Sequence, residues 1–222
     1  IVVKAGRTAL RARAASAHTG ARAETAAIAD AAIRRAGMLR VFDLGGLFGA
    51  VETLSMGRAP LGDRLAVLTN GGSLGVLAAD ALNDYGGRLA ELSEETKRAL
   101  DAFLPPTWSH GNPVDIIGDA PGKRYARSLE VLLKDKGTDA VLVLNSPIAI
   151  ASGIDAAKAV VDAVGKSRAC VLTSWLGEKT PREARQLFSE NRIPTYFTPE
   201  RAVRAFIDMV NYRRNQKALI QT

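Results

Sequence analysis

Residues 65–80 read LAVLTNGGSLGVLAAD: an apolar run, a small polar turn with two adjacent glycines, then a second apolar run. The first run, at 65–68, predicts a fully buried strand and the second, at 74–82, a helix, with Asn70, Gly71, Gly72 and Ser73 at the junction. A strand that feeds a helix through such a turn leaves the first N–H groups of the helix without intrahelical partners, beside the positive end of its dipole. Because Gly71 and Gly72 carry no side chain, an anion has room to approach. Many helices that bind nothing open in the same way, so the turn by itself marks a candidate phosphate site and no more.

Outward from this stretch the pattern recurs. Apolar runs at 140–144 and 169–173 predict strands, and shorter β-rich pieces lie at 88–92 and 195–197. Helical spacing is read at 93–103, 123–134, 155–164, 181–191 and from 200 to about 217; Ser93 is the expected N-cap, with Glu94 and Glu95 in the first turn, where negative charge is favoured. Continuously apolar strands alternating with helices predict an α/β fold, a parallel sheet covered on both faces. Ligands of such sheets gather beyond the carboxyl ends of the strands, which sets the loops at 70–73, 145–148 and 174–178 along one edge.

Ahead of residue 60 the reading is thinner. A β-branched stretch at 1–4 has no strand in its own segment to pair with, an Ala- and Arg-rich loop follows at 7–20, and a helix is expected at 21–36. A strand at 39–42 precedes a helix at 44–54 with Leu44, Leu47, Phe48, Val51 and Leu54 on one face. The punctuation GRAPLG at 57–62 predicts a boundary, with an incomplete α/β domain at 1–60 and a complete one at 61–222. The start Ile-Val-Val-Lys, without a methionine, reads as that of a piece cut from something longer.

Composition narrows the function classes. The 30 Lys and Arg exceed 23 acids for a net charge of +7, but they are scattered, and aromatics make up only 5% with no basic–aromatic interleaving. The surplus therefore reads as solvated surface, and no nucleic-acid partner is expected. No apolar run approaches the ~20 residues of a membrane span. Cys170, the single cysteine, lies in the apolar run ACVLTSW; it excludes a disulfide framework and a multi-cysteine zinc site and is expected to be a buried thiol in a reducing, cytoplasmic setting. His18, in ASAHTGA, has only small neighbours, so its imidazole can act as a nucleophile at neutral pH or simply cap a helix or face solvent. His110, in TWSHGNPVD, is expected to be incidental.

Taken together, KAGRTALRARAASAHTGA (4–21), LTNGGSLGVLAADA (68–81), GNPVDIIGDA (111–120) and IPTYFTPERAVRAF (193–206) resemble the NDP-forming acyl-CoA synthetases, the ADP-forming acetyl-CoA synthetase branch of the succinyl-CoA synthetase superfamily. The resemblance implies flavodoxin-like domains and an enzyme that converts acid, CoA and ATP into acyl-CoA, ADP and phosphate. It assigns the phosphorylated histidine to His18, although Ala17 stands where serine is usual, and a phosphate-holding helix start to Gly71, Gly72 and Ser73 together with Asn70. Asn112, Pro113 and Asp115 match its NPVD motif, as supporting residues near the same centre. It also implies a CoA-binding domain, an ATP-grasp domain or subunit for ATP/ADP and Mg, a small-molecule acyl substrate and an oligomeric whole, so that this piece is inactive alone. No metal site is read in the piece itself. A second reading, a ligand-sensing synthetase-like module of a protein lysine acetyltransferase, is disfavoured by the retained nucleophile.

Overall fold

The structure, a computed structural model, describes residues 1–4, 26–165, 167–179 and 181–220. These form two compact units, one of residues 1–55 with 208–222 and one of residues 56–207.

In the first unit, β1 (Val2–Val3) pairs in parallel with β2 (Arg40–Val41), and α1 (Ala26–Arg35) lies between them in sequence. This corrects the expectation that the first residues have no partner in their own segment. The partner lies beyond a crossover, as a parallel pair requires. Helix α2 (Leu44–Met56) packs Leu47, Ala50 and Leu54 against Leu39 and Val41. Its expected apolar face is only partly used: Leu44 is 64% exposed and Phe48 69%. A two-stranded sheet offers a narrow seat, and it takes one side of the helix rather than the full stripe. At the far end of the chain, the Asn215 and Gln216 amides donate to the carbonyls of Met38 and Gly37, and Tyr212 packs on the same small core.

The second unit holds the site. Its strands are β3 (Arg64–Thr69), β4 (Arg88–Leu89), β5 (Val114–Asp115), β6 (Ala140–Asn145), β7 (Cys170–Trp175) and β8 (Thr195–Tyr196), all parallel. The order is β4–β3–β6–β7–β8, with β5 also on β3. The helices are α3 (Gly72–Asp84), α4 (Glu94–Asp101), α5 (Gly122–Leu132), α6 (Gly153–Gly165), α7 (Arg182–Glu190) and α8 (Pro199–Ile220), the last running on into the first unit. This is the flavodoxin-like order, which reverses direction between β3 and β6 and opens a crevice at their carboxyl ends.

Both sheet faces are buried, as the continuously apolar strands require. Ala66, Leu68, Val141, Val143, Val171 and Trp175 share one core with residues of α4, α5, α6 and α7. The alternate residues Leu65, Val67, Leu142, Leu144 and Leu172 are no less buried, with Leu74, Ala78 and Leu82 of α3 and Val203 and Phe206 of α8 also out of solvent. Cys170 is buried as expected. Ser93 caps α4, its Oγ accepting from Thr96 N at 3.2 Å. Unforeseen in the sequence is β5, which lies between the helices expected at 93–103 and 123–134, where no strand is read.

Candidate phosphate site at the β3–β6 crevice

At the end of β3 the chain turns sharply. The Thr69 hydroxyl accepts from Gly71 N and donates to Gly71 O, both at 3.0 Å, which folds the turn back and aims α3 outward. Gly71 is the N-cap residue, in extended conformation, with no side-chain cap. Leu74 N and Gly75 N bond to Gly71 O, whereas the N–H groups of Gly72 and Ser73 meet no acceptor among the described residues. Both residues are exposed. The helix end therefore presents two free donors and its positive pole at the mouth of the crevice.

Asn70 plays another part. It is 4% exposed, its Oδ1 accepting from Ser146 N at 2.7 Å and its Nδ2 donating to Ser146 O at 3.0 Å. A weaker bond reaches Gly118 O at 3.4 Å. The Asn70 side chain ties the loop after β3 to the loop after β6, and so sets the crevice width. The close fit extends to Gly71, where a Cβ would lie 3.1 Å from that of Ser146.

Beneath these loops sits a group absent from the sequence reading. The Tyr125 hydroxyl donates to Leu144 O at 3.1 Å and accepts from Asn145 Nδ2 at 3.0 Å. Burial, reinforced by the nearby Asp115 charge and only partly offset by the Asn145 bond, pushes the phenol far above its ordinary pKa, so it is a neutral strut. The available signal is that β3 and β6 both run into an asparagine, Asn70 and Asn145. Tyr125, in the middle of a helix, carries no comparable mark.

The NPVD segment closes the crevice from the other side. Asn112 is half of a sheet edge: its Oδ1 accepts from Val67 N, and its Nδ2 donates to Leu65 O and to Ala90 O, all at 2.9 Å. Its amide fills the gap along β3 between the short strands β4 and β5. Asp115 follows at the end of β5, opposite Thr69. Its N–H donates to Ser109 Oγ, and its Oδ1 accepts from Ile117 N at 3.0 Å. Ile117 has φ of 69°, a left-handed backbone that a β-branched residue rarely adopts. Asp115 Oδ2 points the other way and stands 3.0 Å from where a Cβ on Gly72 would lie.

The structure thus gathers Asn70, Gly71, Gly72, Ser73 and Asp115 around the carboxyl end of β3, with the Asn112 amide farther back along the same strand. His18 lies outside the described residues. His110 is apart from this group, its Nδ1 facing Asp101 Oδ1 and its Nε2 facing Pro106 O, each at 3.0 Å. Among the described residues there is no group of three or more His, Cys, Asp or Glu side chains able to hold a metal ion.

The model of the Ligase-CoA domain matches residues 65–219, the strands and helices that build this crevice. The chain belongs to the Ligase-CoA family. A second family, the succinyl-CoA ligase-like flavodoxin domain, matches residues 1–54. Among relatives of known activity, the ADP-forming acetate–CoA ligase I of Archaeoglobus fulgidus is 37% identical over 96% of this chain and 30% of its own length. The alpha subunit of the corresponding Pyrococcus furiosus ligase is 34% identical over 92% of this chain and 45% of the subunit. A solved structure, the dinucleotide-forming acetyl-coenzyme A synthetase 1 of Candidatus Korarchaeum cryptofilum in complex with phosphate and ADP, superposes with a TM-score of 0.91 and 36% identity over 99% of this chain and 48% of that one. The chain therefore spans less than half the length of each of these Ligase-CoA relatives. No helix among its described residues is long and apolar enough to cross a membrane.

Proposed function

We propose that this chain is the phosphoryl-relay part of an ADP-forming acyl-CoA synthetase, which converts a carboxylic acid, CoA and ATP into acyl-CoA, ADP and phosphate. The observation that carries the reading is the exposed start of α3 at the carboxyl end of β3, with the N–H groups of Gly72 and Ser73 open, in a chain of this family. In support, the relative solved at a TM-score of 0.91 holds phosphate and ADP.

In this reading His18 is the carrier. Its imidazole attacks the γ-phosphorus of ATP, a P–O bond breaks and ADP leaves; the phosphoryl group then passes from nitrogen to the carboxylate oxygen of the acid. The resulting acyl phosphate is attacked at carbon by the CoA thiol, and inorganic phosphate departs. The donors at Gly72 and Ser73 stabilise negative charge on the phosphoryl oxygens. Asn70, Asn112 and Asp115 position the loops around them. Mg is assigned with ATP to an ATP-grasp domain or subunit. CoA is assigned to a further domain, and the whole assembly to the cytoplasm, where these substrates are found. The domains assigned are an incomplete CoA-ligase-type α/β domain at 1–60 and a complete flavodoxin-like one at 61–222.

The test is labelling. The complete protein with its nucleotide-binding part, incubated with γ-labelled ATP and Mg, is expected to take up acid-labile, base-stable phosphate, and His18→Ala to take up none while remaining folded. Label that survives in His18→Ala, or no label in wild type with a competent partner, overturns the assignment.

A further inference from the structure

Asp115 occupies an odd position for a residue beside a phosphate site. Oδ2 of its carboxylate stands against the first residue of α3, 3.0 Å from a Cβ placed on Gly72, yet it accepts no hydrogen bond from Gly72 or Ser73 among the described residues. Its other oxygen is spent on Ile117 N, and its own N–H on Ser109 Oγ. That pair of bonds, with Arg124 Nη1 on Ile116 O at 3.0 Å and Ala120 N on Ile117 O at 3.1 Å, holds the left-handed turn at Ile117 and fixes where the carboxylate points. Asn112, three residues earlier, anchors the same segment to β3 and β4. The negative charge is thus held from both sides at the positive pole of the helix. Arg124, the cation bonded to this turn, already pairs with Asp119 at 2.6 Å.

We propose that Asp115 is a resident anion that competes with phosphate for the start of α3 and keeps the site weak. The inference rests on the reading of that helix start as the phosphate site. A relay needs such weakness. A phosphoryl group held tightly at the helix would be trapped, whereas a fixed carboxylate beside it repels every oxyanion that enters and favours its transfer or release. The carboxylate also partly neutralises the helix pole when the site is empty.

Asp115→Asn separates charge from architecture, because an amide oxygen still accepts from Ile117 N while the charge is gone. Inorganic phosphate titrated into the nucleotide-free protein is expected to bind about threefold to tenfold more tightly to Asp115→Asn than to wild type, the loss of one like charge at short range. That gain should shrink as NaCl rises from 50 mM to 500 mM, a response that a packing change would not give. Asp115→Ser, short and still an acceptor, is the second variant should the amide disturb the fold. Ser73→Pro removes one donor in the first turn of α3, where no intrahelical bond is lost, and is expected to weaken phosphate in both backgrounds. Unchanged or weaker phosphate binding in both Asp115 variants, with Ser73→Pro still weakening it, overturns the competitor role and leaves the phosphate site standing. Binding that is indifferent to Ser73→Pro, or absent throughout, overturns the site and the competitor together.

Discussion

Asn112 carries more structure than any other single side chain near the crevice. Its one amide satisfies a buried N–H and a carbonyl of β3 and the Ala90 carbonyl just past β4. Replacing it by alanine leaves Val67 N–H buried with no partner and unties β5, which positions Asp115. A buried orphan donor costs about 1–3 kcal/mol. Asn112→Ala is therefore expected to lower the unfolding free energy by that much, read as a lower urea midpoint with an unchanged denaturant slope. Normal stability in this variant would show that water replaces the amide. The Asn-Pro pair is visible in the sequence as a turn signal, but the bonds of Asn112 reach across 45 and 47 residues to Val67 and Leu65 and carry no local signature.

At the scale of elements, α5 and α6 lie side by side over one sheet face, with Tyr125, Leu129 and Leu132 meeting Ala156, Ala157 and Val160 in the same core. The approach is closest at Gly122, where a Cβ would lie 2.6 Å from the carbonyl oxygen of Asp155 and 3.1 Å from the Ala159 Cβ. The first contact is backbone and cannot swing aside. Gly122→Ala is expected to force the two helices apart and to destabilise by about 1–3 kcal/mol, read as a lowered melting temperature. The gain that alanine brings to a helix is about 1 kcal/mol and points the other way, so a raised melting temperature would mean the helices part at little cost. Tyr125 and Asn145 sit near this crossing, and any shift of α5 is expected to reach the crevice through them.

Across the whole second unit the two ends of the sheet do different work. The carboxyl end carries the open donors and the crevice. The amino end carries an ion pair: Arg64 Nε and Nη2 donate to Asp139 at 2.8 and 2.9 Å, and Arg64 N adds a third bond at 3.0 Å. The Arg64 bond holds the Asp139 carboxyl below its usual range despite burial. Asp135 is lowered as well: burial acts to raise it, but the bonds from Thr96, Ser93 and Gly137 together outweigh that. Both carboxylates bind their protons more weakly folded than unfolded. The stability they add is complete above the unfolded value near ~3.9 and is lost as the pH falls through the lower folded values. The urea midpoint is expected to drop below about pH 4, and Asp139→Asn to lower it at pH 7 while flattening the acid limb. An unaltered acid limb in that variant would assign acid unfolding to other groups.

The sequence by itself determined the α/β fold of the second unit, because continuously apolar strands can be satisfied only by a parallel sheet covered on both faces. It also determined the α3 start, the Ser93 cap and the burial of Cys170, each of which depends on neighbours within a few positions. Tertiary structure alone decided that β1 pairs with β2 across a crossover and that α2 buries one narrow side. It likewise decided which backbone groups Asn70 and Asn112 bind across the sheet, and that a carboxylate stands at the helix pole. These features are set by contacts between residues distant in the chain. Periodicity and motif report which face a residue occupies and what chemistry it can offer; which partner it meets is fixed only when the strands lie side by side.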